Sequence, residues 1–180
     1  MRDIVRPVDD TLLVAEIATR PFDGRPQVRA ADHVTRYTRT GAGEPVLVLD
    51  TPAVVGALWP DLYGRLAEHH RVILPEVPGA AEAHFYRWLR GFVEGVGLSV
   101  MTVIAAGELC VPALEFALLD PDRINRLVLV PSGRGDETAL GGTLTPTLSS
   151  ARVAVLVVRR DAPSGEAIGA IERFIRDEAS

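Results

Sequence analysis

Along the chain, short runs in which nearly every residue is apolar alternate with longer stretches whose apolar positions recur every three or four residues. The first pattern belongs to strands covered on both faces and the second to amphipathic helices, so their alternation predicts helices packed on a mostly parallel sheet. The buried strands are predicted at Val46 to Asp50, Val72 to Leu74, Met101 to Ala105, Leu127 to Val130 and Val153 to Val158. Between them fall the helical stretches ALWPDLYGRLAEHH, AHFYRWLRGFVEGVG and PALEFALLD. A last helix, SGEAIGAIERFIRDEA, is predicted to start from Ser164 as its N-cap and to place Ile168, Ile171 and Ile175 on one face. Ahead of all these, Thr11 to Thr19 and His33 to Arg39 alternate apolar and polar residues, which suits two half-exposed, antiparallel lead-in strands within residues 1–40, separated by the loop RPFDGRPQ. The long irregular stretch is 131–151, a length usually reserved for a functional or mobile loop.

Composition narrows the function more than it changes the fold. A chain of 180 residues suits one domain, spanning 1–180, and 47% hydrophobic with 24% charged residues are globular values. The longest apolar run, VAVLVV, is too short to cross a bilayer, and the acidic start MRDIVRPVDD is unlike a signal peptide, so a cytoplasmic protein is expected. A net charge of -5 with no block of like charges argues against nucleic acid or an anionic membrane as partner, since both are bound chiefly through basic patches. The lone Cys110 cannot form an internal disulfide, and no Cys/His cluster has zinc-site spacing, so neither metal nor cofactor is expected. All 19 basic residues are arginine, which excludes lysine Schiff-base chemistry and a lysine-bearing phosphate loop.

Two segments carry a family resemblance. YTRTGAGEPVLVLDTPAVVGALWPDLYGRLAEHHRVILPEVPG is similar to the opening of α/β-hydrolases, where a strand ends in His-Gly, a Trp-led helix follows and the next strand ends in Asp-x-Pro-Gly. VMTVIAAGELCVPALEFALLDPDRINRLVLVPS then resembles the nucleophile strand, elbow, helix and following strand of that family. The resemblance implies an α/β, doubly wound, mostly parallel sheet of about seven strands, shortened at its C-terminal edge, with no cap domain, the loop 131–151 standing in place of the lid, and the site at the carboxyl ends of the strands. It also implies what has changed. The family's G-x-S-x-G falls on Ala105-Ala106-Gly107-Glu108-Leu109, so the nucleophile position is Gly107, and the second small position is Leu109. The His-Gly loop that supplies an oxyanion-hole N–H is here Asp50-Thr51-Pro52, so acidic Asp50 and Glu108 flank the hole and oppose a developing oxyanion. Asp161 matches the triad acid, but no histidine occurs after His84, and a Ser-His-Asp triad cannot be assembled in the inherited places.

Several residues therefore carry two readings each. Asp50 and Glu108, on adjacent loops, form an acid/base pair over a partly apolar cleft, or are solvated acids that cap the following helices. Cys110, with Thr51, Ala106, Ser132 and Asp161, lines the expected pocket. Cys110 is either a displaced nucleophile at a helix N-terminus or a buried core thiol, and Ser132 either contacts a ligand or closes a turn. His84 reaches the cleft mouth or lies on the surface, while His69 and His70 end a helix and His33 begins a strand. Pro112 makes the helix after the elbow start late or bend. The aromatic HFYRWLRGF reads as a helix packing Phe85, Trp88, Leu89 and Phe92 on the sheet rather than as a base-stacking platform. Three functions follow: non-hydrolytic cyclase-, isomerase- or lyase-like acid-base chemistry on a small apolar biosynthetic intermediate; a non-catalytic pseudo-hydrolase that binds a ligand, a homodimer mate or another protein through an exposed edge strand 153–158; or a hydrolase or thioesterase with a relocated nucleophile.

Overall fold

The computed structural model describes residues 25–50, 55–78, 84–132, 153–159 and 161–176. Seven strands are ordered β1 (Gln27–Ala30), β2 (His33–Thr40), β4 (Arg71–Pro75), β3 (Pro45–Leu49), β5 (Met101–Ala106), β6 (Ile124–Val130) and β7 (Ala154–Val157) in a single sheet. From β4 to β7 all pairings are parallel, whereas β1 pairs β2 and β2 pairs β4 antiparallel. The helices are α1 (Val55–Ala67), α2 (Phe85–Val96), α3 (Cys110–Leu119) and α4 (Ser164–Arg176). The expected doubly wound, mostly parallel α/β sheet is what forms.

Alternation along the strands splits the core in two. Leu47, Leu49, Val103, Ala105, Leu127 and Leu129 pack under α2 and α3, and Val46, Val48, Ile104, Ala106, Val128 and Val130 pack under α1 and α4. Trp88 and Phe92 stack on α2 with ring centroids 5.8 Å apart, Tyr37 meets Phe92 edge-on, and the indole N–H donates to Thr35 Oγ1 at 2.8 Å. This answers the stacking-platform alternative: Phe85, Trp88, Leu89 and Phe92 are all buried. Ile168, Ile171 and Ile175 are buried on α4 as the spacing predicts. Ser164 is the first helical residue rather than the cap, since the Pro163 carbonyl accepts the N–H of Ala167. Between these helices, Arg65 of α1 reaches the nearly buried Glu172 of α4 at 2.5 Å.

The lead-in differs from expectation. β2 is antiparallel as read, but its hairpin mate is Gln27–Ala30, part of which falls in the stretch expected to be a loop; Thr11 to Thr19 lies outside the described residues. The two-residue turn works because Ala31 takes a left-handed φ of 52°. The hairpin sits close on α2 because Gly91 and Gly95, one helical turn apart, present no side chain: a Cβ on Gly91 would lie 2.9 Å from the Ala31 nitrogen, and one on Gly95 2.4 Å from a Val28 methyl. α2 ends where Gly97 adopts φ 75°, with the Leu98 N–H returning to the Val93 carbonyl. At the opposite edge, β7 leaves Ala154 and Val157 exposed, with Val155 and Leu156 half-buried.

Gly64 offers a contrasting case. It lies inside α1, and a Cβ added there would meet nothing within 4 Å. Gly64→Ala is expected to raise stability by about 0.5–1 kcal/mol, because only the unfolded chain loses freedom. A urea midpoint at or below that of the parent protein would be inconsistent with this.

Candidate functional site

The sheet itself creates the crevice. β3 and β5 are neighbours, with Leu49 opposite Ala105, yet the helix that follows β3 lies on one face and the helix that follows β5 lies on the other. Chain segments leaving the two strands therefore diverge, and the gap at their carboxyl ends is where ligands bind in such sheets. Asp50 leaves β3 on one side of this gap and Gly107 leaves β5 on the other.

Gly107 is the pivot of a sharp strand-to-helix turn. Ala106 is extended at φ -122°, ψ 148°, Gly107 has φ 58°, and Leu109 and Cys110 are helical. The Cys110 N–H closes the turn on the Gly107 carbonyl. A side chain at that left-handed φ costs about 1–2 kcal/mol, whereas glycine adopts it freely. The turn geometry is thus present and its side chain is hydrogen. Leu109, where a small residue is expected, is fully buried in the core under α2 and α3. Pro112 is accommodated without a late start: a single 3-10 turn, Gly107–Leu109, runs into α3, and Pro112 is only the third residue of that helix.

The acidic flanks are not equivalent. Val46, Val48 and Asp50 share one side of β3 by alternation, so Asp50 turns toward α1. There it borders an open cleft of about 610 Å³ that lies on the β4 side of β3 rather than in the gap toward β5, lined by Val48, Asp50, Tyr63, Leu74, Pro75, Glu76 and Val77. Both carboxylate oxygens of Asp50 and the hydroxyl of Tyr63 are buried from water. Burial first, and then the negative charge of Asp50, push the Tyr63 phenol well above the usual tyrosine range. Glu76, at the rim, pairs with Arg25 at 2.9 Å. Glu108, by contrast, is exposed in the first turn after the elbow and is not part of this lining. The structure brings Asp50 together with Tyr63, a residue that no motif in the sequence singles out.

The other expected pocket residues scatter. Ala106 is buried beneath the elbow. Cys110 is buried too, and its thiol donates to the Ala105 carbonyl at 3.3 Å, which favours the core reading. Ser132 is exposed just past β6, and Thr51 lies outside the described residues, as does residue 133 onward through 152. Asp161 is exposed and held by two hydrogen bonds from Arg159, at 2.7 and 3.0 Å, which keep its carboxyl below the ordinary range. His69 and His70 precede β4, at the end of the sheet away from Asp50, and burial holds the His70 imidazole below its ordinary value. His84 is exposed ahead of α2 and makes no side-chain capping bond.

Among the described residues, no helix is long and apolar enough to cross a membrane, and no group of three metal-ligating side chains is assembled.

No family model matches the sequence, and no curated protein matches it. Solved structures do. A variant of the meta-cleavage product hydrolase CumD of Pseudomonas fluorescens is 22% identical, with a TM-score of 0.52 over 59% of this chain and 44% of that one. The epoxide hydrolase VrEH1 of Vigna radiata is 14% identical, with a TM-score of 0.53 over 61% of this chain and 38% of that one. A Bacillus subtilis protein classed as a hydrolase is 13% identical, with a TM-score of 0.53 over 67% of this chain and 50% of that one. The chain thus spans half or less of the length of these structures, and at such identities the likeness carries the fold.

Proposed function

This chain has the α/β-hydrolase fold, and on that fold we propose that it performs non-hydrolytic acid-base chemistry on a small, mostly apolar molecule, with Asp50 as the base. The observation that carries this is a carboxylate shut off from water at the carboxyl end of β3, bordering an apolar-walled cleft. Holding an ionisable group away from water is costly, and a carboxylate stripped of its hydration is a stronger base toward a bound C–H. Glu108 is exposed and stays hydrated, so Asp50 is the better placed of the two acids. In the proposed step, Asp50 takes a proton from carbon. The electron pair passes into an adjacent acceptor, and the protonated Asp50 returns the proton to another atom of the product or to water. This is the common first step of isomerases, lyases and several cyclases.

Hydrolysis fits poorly. The elbow presents glycine, the Cys110 thiol is engaged in the core, and Asp161 is bound to an arginine. The test pairs two assays. A fluorophosphonate probe and a panel of p-nitrophenyl esters are expected to give neither adduct nor turnover. 5-Nitrobenzisoxazole, an apolar compound whose ring N–O bond breaks when a base removes its C3 proton, is expected to open catalytically. Ester turnover through a covalent adduct would overturn the reading.

A second reading, binding without catalysis, has β7 in its favour, because the four-residue edge carries no charge and leaves Val157 43% exposed. Silence toward benzisoxazole, together with self-association that Val157→Lys abolishes in sedimentation, would support it instead.

A further inference from the structure

Beside the cleft, the sheet carries positive charge that the proposed proton transfer does not use. Thr35 and Tyr37 of β2 point toward α2, where they meet Trp88 and Phe92, so Arg36 between them points to the opposite face, the one on which the cleft lies. Val28 and Ala30 of β1 are likewise buried under α2, which puts Gln27 and Arg29 on the face of Arg36. Gln27 stands directly opposite Arg36, so Arg29 is its diagonal neighbour, within reach of a long side chain. On its other side Arg36 faces Glu76 of the cleft lining, whose N–H donates to the Arg36 carbonyl at 2.8 Å. That carboxylate is bound by Arg25 at 2.9 Å, and among the described residues the half-buried Arg36 has no ion-pair partner of its own. Arg25, Arg29 and Arg36 thus gather around a single acid in a chain whose net charge is -5, so the positive surplus is local to this rim.

We infer that Arg36, with Arg29, binds a carboxylate on the substrate, so that the molecule this cleft takes is a small carboxylic acid with an apolar body. The inference rests on the proposed reading of the cleft and names the substrate class for it. Like charges gathered on neighbouring strands repel, and a bound anion relieves that repulsion. A half-buried arginine is held along its stem while its planar guanidinium can pair with a carboxylate through two parallel hydrogen bonds. The apolar body then lies along Leu74, Pro75 and Val77 toward Asp50, and the negative charge of Asp50 keeps the carboxylate end at the arginines. Anchored one strand spacing from the lining, the acid group leaves a C–H of the far end to be presented to the base. Arg36 sets which molecule binds and in which direction; it does not meet the reacting atoms.

The experiment measures binding without turnover. Calorimetric titration compares 4-phenylbutyrate with 4-phenylbutyramide, which has the same length and no charge, on the full chain and on Arg36→Gln. The full chain is expected to bind the acid about tenfold or more tighter than the amide, and Arg36→Gln to bind the two within about threefold of each other. No binding of the acid, equal affinities in the full chain, or an acid preference that survives Arg36→Gln would overturn the inference. If Arg36→Gln does not fold, the Nε–H signal of Arg36 is followed in the parent protein instead. It is then expected to shift on addition of the acid and to stay in place on addition of the amide; a signal that the acid leaves unmoved overturns the inference. Failure of the Asp50 reading looks different, because it leaves the preference for the acid intact while Asp50→Asn does not affect benzisoxazole opening.

Discussion

Gly41→Ala loses about 2–5 kcal/mol of folding stability, the sum of left-handed strain and forced overpacking. The expectation comes from the turn between β2 and β3. Gly41 has φ 74°, and a Cβ there would stand 2.2 Å from the His70 carbonyl oxygen and 2.4 Å from that of Ala67. Those oxygens belong to the C-terminal end of α1 and the turn beyond it, so the clash is with backbone and cannot be relieved by a rotamer change. Gly43, at φ 111°, meets the His69 carbonyl in the same way, and the Arg71 N–H closes the crossing on the Glu44 carbonyl. Relief requires α1 or the start of β3 to move. Against a typical total of about 5–15 kcal/mol, such a loss is large. It should appear as a fall in melting temperature on the order of 10 °C, with the urea m-value unchanged. A melting temperature within a degree or two of the parent would show that the crossing is not as tight as the backbone distances imply.

The sequence made the sheet legible because its strands are covered on both faces, and continuous Val/Ile/Leu runs announce that condition directly. The first hairpin was harder to read. Its turn, Ala31–Asp32, carries neither glycine nor Asn-Gly, and β1 begins inside a Pro/Gly/Arg-rich stretch that reads as loop. The elbow was legible through the resemblance, and the positive φ of Gly107 falls where that register puts the nucleophile.

The acids were read only in part. Alternation along β3 does put Asp50 on the face of Val46 and Val48, but which helix covers that face depends on the hand of the crossover, a rule that could have pointed to α1 and to Tyr63. Glu108 carried two readings, a partner of Asp50 over the cleft or a solvated acid, and the short 3-10 turn at the elbow leaves it exposed. Asp161 matched a catalytic position, but Arg159, two residues before it, claims its carboxylate.

Asp50→Asn keeps the size and shape of the side chain and removes its basicity. Loss of a positioned general base typically lowers a rate by about 10²–10⁴-fold, and a loss of at least about 100-fold in benzisoxazole opening is expected here. The burial of both oxygens makes the effect specific to this carboxylate, since Glu108 is exposed and is not part of the cleft lining. Glu108→Gln is accordingly expected to change the rate by less than about threefold, as a hydrated charge outside the cleft lining does. Fold integrity is checked by an unchanged melting profile.

The decisive measurement is the pH dependence of 5-nitrobenzisoxazole opening by the parent protein and by Asp50→Asn, side by side. With Asp50 as the base, the parent rate rises through a single ionisation to a plateau, and Asp50→Asn shows neither the rise nor the plateau. Equal rates and parallel profiles for the two proteins would contradict the assignment of chemistry to this carboxylate.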